Sequence, residues 1–87
     1  MIILRQYTSA LCAACRAHKP MLAEIASMFE DELRVEFVDV STLEPDDASI
    51  ISTVPFYRLM RNGIVQNQWI GTKSKYWIIE KIEEALA

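Results

Sequence analysis

Hydrophobic and polar positions along the chain change period several times, and each change marks an element. Ile2-Ile3-Leu4-Arg5-Gln6-Tyr7 is a short, largely apolar run bounded by Thr8-Ser9 and reads as a strand. From Cys12 to about Glu30 the spacing becomes helical, with Leu22, Ile25, Ala26 and Phe29 on one face. Pro20 lies inside that run; the apolar face continues beyond it, so a kink is expected there rather than an end. Leu33 to Val40 reads as a second strand, with Val35, Phe37, Val38 and Val40 packing into the sheet. Glu44-Pro45-Asp46-Asp47 opens a short helix through Ile51, with Pro45 near its first turn. Pro55 to Met60 and Ile64 to Ile70 are two strands joined by Arg61-Asn62-Gly63, where Asn-Gly tolerates the positive φ of a hairpin turn. Gly71 closes the last strand. From Ser74, a capping residue, to Leu86 a final helix sets Ile78, Ile82 and Leu86 on one stripe.

The resulting order is β-α-β-(short α)-β-β-α. A helical crossover between the first two strands makes them parallel with right-handed connection, and the hairpin adds an antiparallel pair. The expectation is an α/β fold on a four-stranded mixed sheet. No linker or repeat interrupts it, so residues 1–87 read as a single domain.

Composition narrows the classes. At 87 residues with 52% apolar and 24% charged side chains, the chain can bury one core but is near the lower limit of size for doing so. Its net charge of −3 includes no basic stripe, which argues against a nucleic-acid partner. No segment approaches the roughly 20 apolar residues of a spanning helix, so no membrane partner is expected. Met1-Ile2-Ile3-Leu4 is interrupted by Arg5 before it resembles a secretion signal, and the expected location is cytoplasmic.

The two cysteines, Cys12 and Cys15, are too few for a disulfide scaffold and enclose too short a loop to add much stability. Their placement suits chemistry. A thiol attacks only as the thiolate, and Cys12 stands where a strand and loop give way to a helix, whose unpaired N–H groups favour negative charge. Cys15 is one turn on, near enough to attack a mixed disulfide formed at Cys12. The spacing alone also fits half of a zinc site. Such a site needs four ligands, and only His18 stands nearby, either as a third ligand or as a half-exposed helix residue that modulates local charge.

Taken together, Cys12-Ala-Ala-Cys15-Arg-Ala-His-Lys-Pro20, Leu22-Ala-Glu-Ile-Ala26, Thr53-Val54-Pro55, Arg61-Asn62-Gly63 and Ile70-Gly71 resemble the thioredoxin family in order and spacing over nearly the whole chain. The resemblance implies a thioredoxin-like fold reduced to β-α-β-β-β-α, without the family's usual first strand and helix and close to glutaredoxins in size. It implies a thiol–disulfide oxidoreductase with Cys12 as nucleophile and Cys15 as resolving cysteine. Val54, a cis Pro55, Ile70 and Gly71 would frame the substrate groove, and Leu11, Ala13, Ala14 and His18 would modulate it. Protein disulfides would be the substrates and a thioredoxin-reductase-like protein the electron donor. Apart from the resemblance, no cofactor or metal is expected, and the chain is expected to be a monomer. Pro55 also admits a plainer role as the start of an edge strand.

Four departures stand out. Gln6 occupies the place of the family's buried acid, Phe37 that of its lysine partner, Leu11 that of the preceding tryptophan, and Ala13-Ala14 that of Gly-Pro. The proton acceptor for Cys15 is therefore open. Trp69, Trp77 and Ile79 fall where the family template is exposed; they either repack to cover surface left by the missing elements or form a docking patch. The rival functions are a glutathione-coupled glutaredoxin, a dimeric iron–sulfur or zinc module, and a non-catalytic adaptor.

Overall fold

One sheet with strand order β2-β1-β3-β4 organises the computed structural model, which describes residues 1–87. The strands are β1 (Ile2–Thr8), β2 (Leu33–Asp39), β3 (Phe56–Arg61) and β4 (Ile64–Ile70). Helix α1 (Ala13–Met28) carries the crossover from β1 to β2, which are parallel. β3 runs antiparallel to both β1 and β4. A short helix α2 (Pro45–Ile50) precedes β3, and α3 (Lys75–Leu86) ends the fold. The architecture is the mixed four-stranded α/β arrangement that the hydrophobic pattern implies.

Element ends differ from the pattern for local reasons. α1 stops at Met28 because Phe29 leaves helical geometry while its N–H still reaches the Ile25 carbonyl at 3.3 Å. Its own carbonyl then accepts from Glu32 and Leu33, turning the chain into β2. β2 ends at Asp39, whose carboxylate accepts from the Ser41 N–H at 2.9 Å and opens a single 3₁₀ turn, Val40–Thr42. That donation lowers the Asp39 pKa. Pro55 stands just before β3 rather than within it.

The inner face of the sheet carries the main core. Ile2 and Leu4 of β1 and Tyr57 and Leu59 of β3 meet Leu22 and Ile25 of α1 and Ile78 and Ile82 of α3. The last buried position of α3 is Ala85, and Leu86 is only half-buried. At about 100° per residue, the seventh residue after Ile78 returns to within about 20° of its direction, whereas the eighth overshoots by about 80°. Ser74 caps this helix, its hydroxyl accepting from the Trp77 N–H at 3.2 Å.

Trp69 is buried on the inner face, stacked on Tyr57 with ring centroids 5.4 Å apart, and Trp77 meets it edge-on at 4.9 Å. Trp77 and Ile79 are half-buried against the same core. The tryptophans therefore extend the core beneath α3 and do not cover the sheet's opposite face. That face is covered by Ile51 over Tyr7 and Phe56 at one end, carries Arg5 and Arg58 in its middle and ends on Ile3 and Met60. Arg5 binds Glu36 at 3.0 Å, and the Tyr7 hydroxyl accepts from Arg5 at 3.3 Å and Arg58 at 3.2 Å. The bonds that Arg5 donates to Tyr7 and then to Glu36 raise its pKa.

Phe37 corrects the expectation of a buried residue: it is 46% exposed. It shares a cross-strand row with Gln6 and Tyr57, but β2 is an edge strand, and at its rim the Lys19 ammonium covers the ring at 5.0 Å. Val35 and Val38 of β2 and Val40 just beyond it are half-buried.

Candidate redox site

Three chain segments converge at one end of the sheet. β1 leaves its last residues toward the Ser9–Cys12 loop, and the register Tyr7↔Phe56 sets Val54-Pro55 beside that exit. The register Phe56↔Ile70 brings the end of β4 to the same place, and the Gly71 N–H donates to the Pro55 carbonyl at 2.8 Å. Gly71 takes φ +83°, a left-handed conformation in which side chains other than glycine's are strained. The Val54–Pro55 peptide is cis. Thus the residues singled out at positions 12, 54, 55, 70 and 71 occupy one end of the fold.

The loop that carries Cys12 is organised by its own backbone. Ser9 accepts from the Cys12 N–H through its carbonyl at 3.1 Å and from the Leu11 N–H through its hydroxyl at 3.2 Å. Arg16 reaches back from α1 to the Ala10 carbonyl at 2.7 Å. This bond holds a guanidinium against the same loop, a contribution that cysteine spacing alone does not reveal. Its signal was the position of Arg16 four residues after Cys12, one helical turn on.

Cys12 is the N-cap of α1. Its sulfur accepts from the Cys15 N–H at 3.1 Å, filling the place that a serine or aspartate oxygen usually takes. Cys12 and Cys15 are joined as a disulfide, with Cα atoms 5.3 Å apart. The two sulfurs sit in different surroundings: Cys12 is half-exposed and Cys15 fully buried. The helix field at such a position favours an anion by about 0.3–1 kcal/mol at an exposed site. The arrangement can present one sulfur outward while its partner waits behind it.

Exposed apolar side chains flank Cys12 in sequence, beside the Arg16 guanidinium, and Ile70 adds one at the end of β4. Leu11 is 93% exposed, Ile70 56% exposed, and Ala13 and Ala14 line the first turn of α1. Val54 is half-buried and Pro55 buried. His18 lies half-buried on α1, and its Nδ1 has no hydrogen-bond partner in the protein. No group of three or more His, Cys, Asp or Glu side chains converges in a metal-binding cluster.

Behind the disulfide stands Gln6, wholly buried on β1. Its Nε2 donates to the Cys15 carbonyl at 3.2 Å and to the Tyr57 hydroxyl oxygen at 2.8 Å. Its Oε1 has no partner in the protein, an arrangement that costs about 1–3 kcal/mol for a buried acceptor. Burial raises the Tyr57 pKa, while the bond from Gln6 pulls it the other way. Tyr57 was missed as a site residue. The available signal was strand alternation, which turns Tyr57 inward with Leu59, where a phenol needs a polar partner.

A strand–loop–helix unit bearing an N-capping cysteine bonded to a buried one, at the sheet end that also holds Val54-Pro55, has the form of a thioredoxin-like redox domain. The thioredoxin family model matches residues 1–84 of the chain, which therefore belongs to the thioredoxin family. No helix is long and apolar enough to cross a membrane.

Proposed function

We propose that this chain is a protein-disulfide reductase in which Cys12 attacks and Cys15 resolves. The observation that carries this reading is the contrast at the start of α1: a half-exposed sulfur receiving a backbone N–H, bonded to a second sulfur sealed inside. In the reduced chain the Cys12 thiolate attacks one sulfur of a substrate disulfide. A mixed disulfide forms, and the other substrate sulfur departs with the electron pair and takes a proton. Cys15 then attacks Cys12 through its own sulfur, the bond from Cys12 to the substrate breaks, and the second substrate sulfur leaves protonated. The substrate gains two electrons and two protons, and the chain regains its disulfide.

Val54 offers backbone beside the cis Pro55, and Ile70 and Gly71 border the same end of the sheet. These groups suit an extended polypeptide laid along a strand edge. The apolar rim of Leu11, Ala13, Ala14 and Ile70 supports a protein partner. A flavoprotein of the thioredoxin-reductase kind fits as electron donor, with residues 1–87 acting as one monomeric domain in a reducing, cytoplasmic setting.

Insulin reduction by the wild-type chain and by Cys12→Ser and Cys15→Ser tests the reading. Turnover is expected only in the wild type, with Cys15→Ser accumulating a mixed disulfide through Cys12. Equal activity in Cys12→Ser would exclude the mechanism. Reduction by glutathione but not by a flavoprotein reductase would move the chain to the glutaredoxin class.

A further inference from the structure

The buried amide of Gln6 is half satisfied. Both Nε2 hydrogens are used, one on the Cys15 carbonyl and one on the Tyr57 oxygen. A carbonyl can only accept, so the Cys15 carbonyl fixes which end of the amide faces it; a flip would oppose two acceptors. Oε1 is thereby left inside the protein without a donor. Buried acceptors are almost always paired, so an acceptor buried beside a redox-active cysteine is a place to look for a donor.

The disulfide chain has no hydrogen on either sulfur. Reduction by a dithiol breaks the Cys12–Cys15 bond and delivers two electrons and two protons, while the dithiol itself becomes a disulfide. Cys15 then acquires an S–H group, a weak donor, at a fully buried position on the residue that Gln6 already holds by its carbonyl.

We infer that Gln6 is a redox-linked positioning residue, whose Oε1 accepts the Cys15 S–H in the reduced and mixed-disulfide states while its Nε2 anchors the start of α1 in every state. The inference rests on the redox reading above and adds to it a fixed place for the resolving thiol. An amide accepts a hydrogen bond but takes no proton at physiological pH. In the resolving step, therefore, the Cys15 proton passes to the departing substrate sulfur as the Cys15–Cys12 bond forms and the Cys12–substrate bond breaks. Release of product then shows no inflection from a protein carboxylate at this position.

The experiment uses Cys12→Ala, which leaves Cys15 as the only thiol, and reads its S–H stretch by infrared spectroscopy. The band is expected at lower frequency in Cys12→Ala than in Cys12→Ala combined with Gln6→Leu. Gln6→Met serves as a second comparison if the leucine variant does not fold. A band unmoved by removal of the amide overturns the inference, as it would if a water held Oε1 in both states. Gln6→Glu in the two-cysteine chain supplies the kinetic reading: its product-release rate is expected to acquire an added pH inflection absent from the wild type. Identical pH profiles would also overturn the proposal. The two readings fail separately. A wild type that reduces insulin, beside a Cys12→Ala band that Gln6→Leu leaves unmoved, loses the inference and keeps the reductase, whereas a wild type without turnover loses the reductase.

Discussion

The Gly71 N–H and the Pro55 carbonyl are joined at 2.8 Å, and this one bond ties the exit of β4 to the residue that leads into β3. It holds because Gly71 takes φ +83°, which turns the chain away from the sheet toward α3. An added Cβ there would meet no atom within 4 Å, so a substitution acts through the backbone alone. Gly71→Ala is expected to destabilise the fold by about 1–2 kcal/mol, the cost of a left-handed conformation for an L-residue. Urea unfolding measures it, and an unchanged midpoint would mean that the turn relaxes freely.

Unequal burial of the two sulfurs predicts unequal chemistry after reduction. Brief treatment with iodoacetamide at neutral pH is expected to modify Cys12 and spare Cys15, since the first is half-exposed and receives an N–H bond while the second is sealed. Mass spectrometry of the peptides reads the ratio. Comparable labelling of both would show that the first turn of α1 opens when the disulfide is cut.

Trp69 contributes stacking on Tyr57, an edge contact to Trp77, and burial beneath α3. Trp69→Ala is expected to cost about 3–5 kcal/mol, the range for deleting a large buried aromatic. A domain of this size has total stability on the order of 4–13 kcal/mol, at about 0.05–0.15 kcal/mol per residue. Loss of near-ultraviolet circular dichroism near physiological temperature would register the change. A loss under 1 kcal/mol would contradict the packing described.

Tyr57 gives the fold an alkaline limit. Its pKa is raised, first by burial, so on alkalinisation the unfolded phenol ionises before the folded one. The unfolded state then binds fewer protons, and stability falls as pH rises through and above the ordinary tyrosine value of about 10. Tyr57→Phe is expected to lower stability at neutral pH by about 1 kcal/mol through loss of the Gln6 bond. The same variant should flatten the alkaline decline, as denaturant titrations at several pH values would show. A decline of equal slope in both proteins would assign it to other groups.

Local signals were strong where a single residue type meets a single backbone need. Asn62 and Gly63 do adopt positive φ, 52° and 80°, as an Asn-Gly hairpin requires. The cysteine spacing fell at the start of a helix, and Ser74 capped another. Positions whose fate depends on the edge of the sheet were not readable in the same way. Phe37 has the pattern of an inward residue yet lies partly in solvent beneath Lys19, because β2 has no neighbour beyond it. The open sheet face was likewise invisible, since the Arg5–Tyr7–Arg58 grouping joins residues 51 positions apart.

By itself the amino-acid order determined the succession of strands and helices, the family, and the presence of two sulfurs one helical turn apart, since each follows from neighbours close in the chain. Only the folded chain decided which sulfur faces solvent, how Pro55 and Gly71 bond, and what surrounds Gln6. Those outcomes depend on register between strands distant in sequence, where a shift of one residue would turn every side chain to the other face.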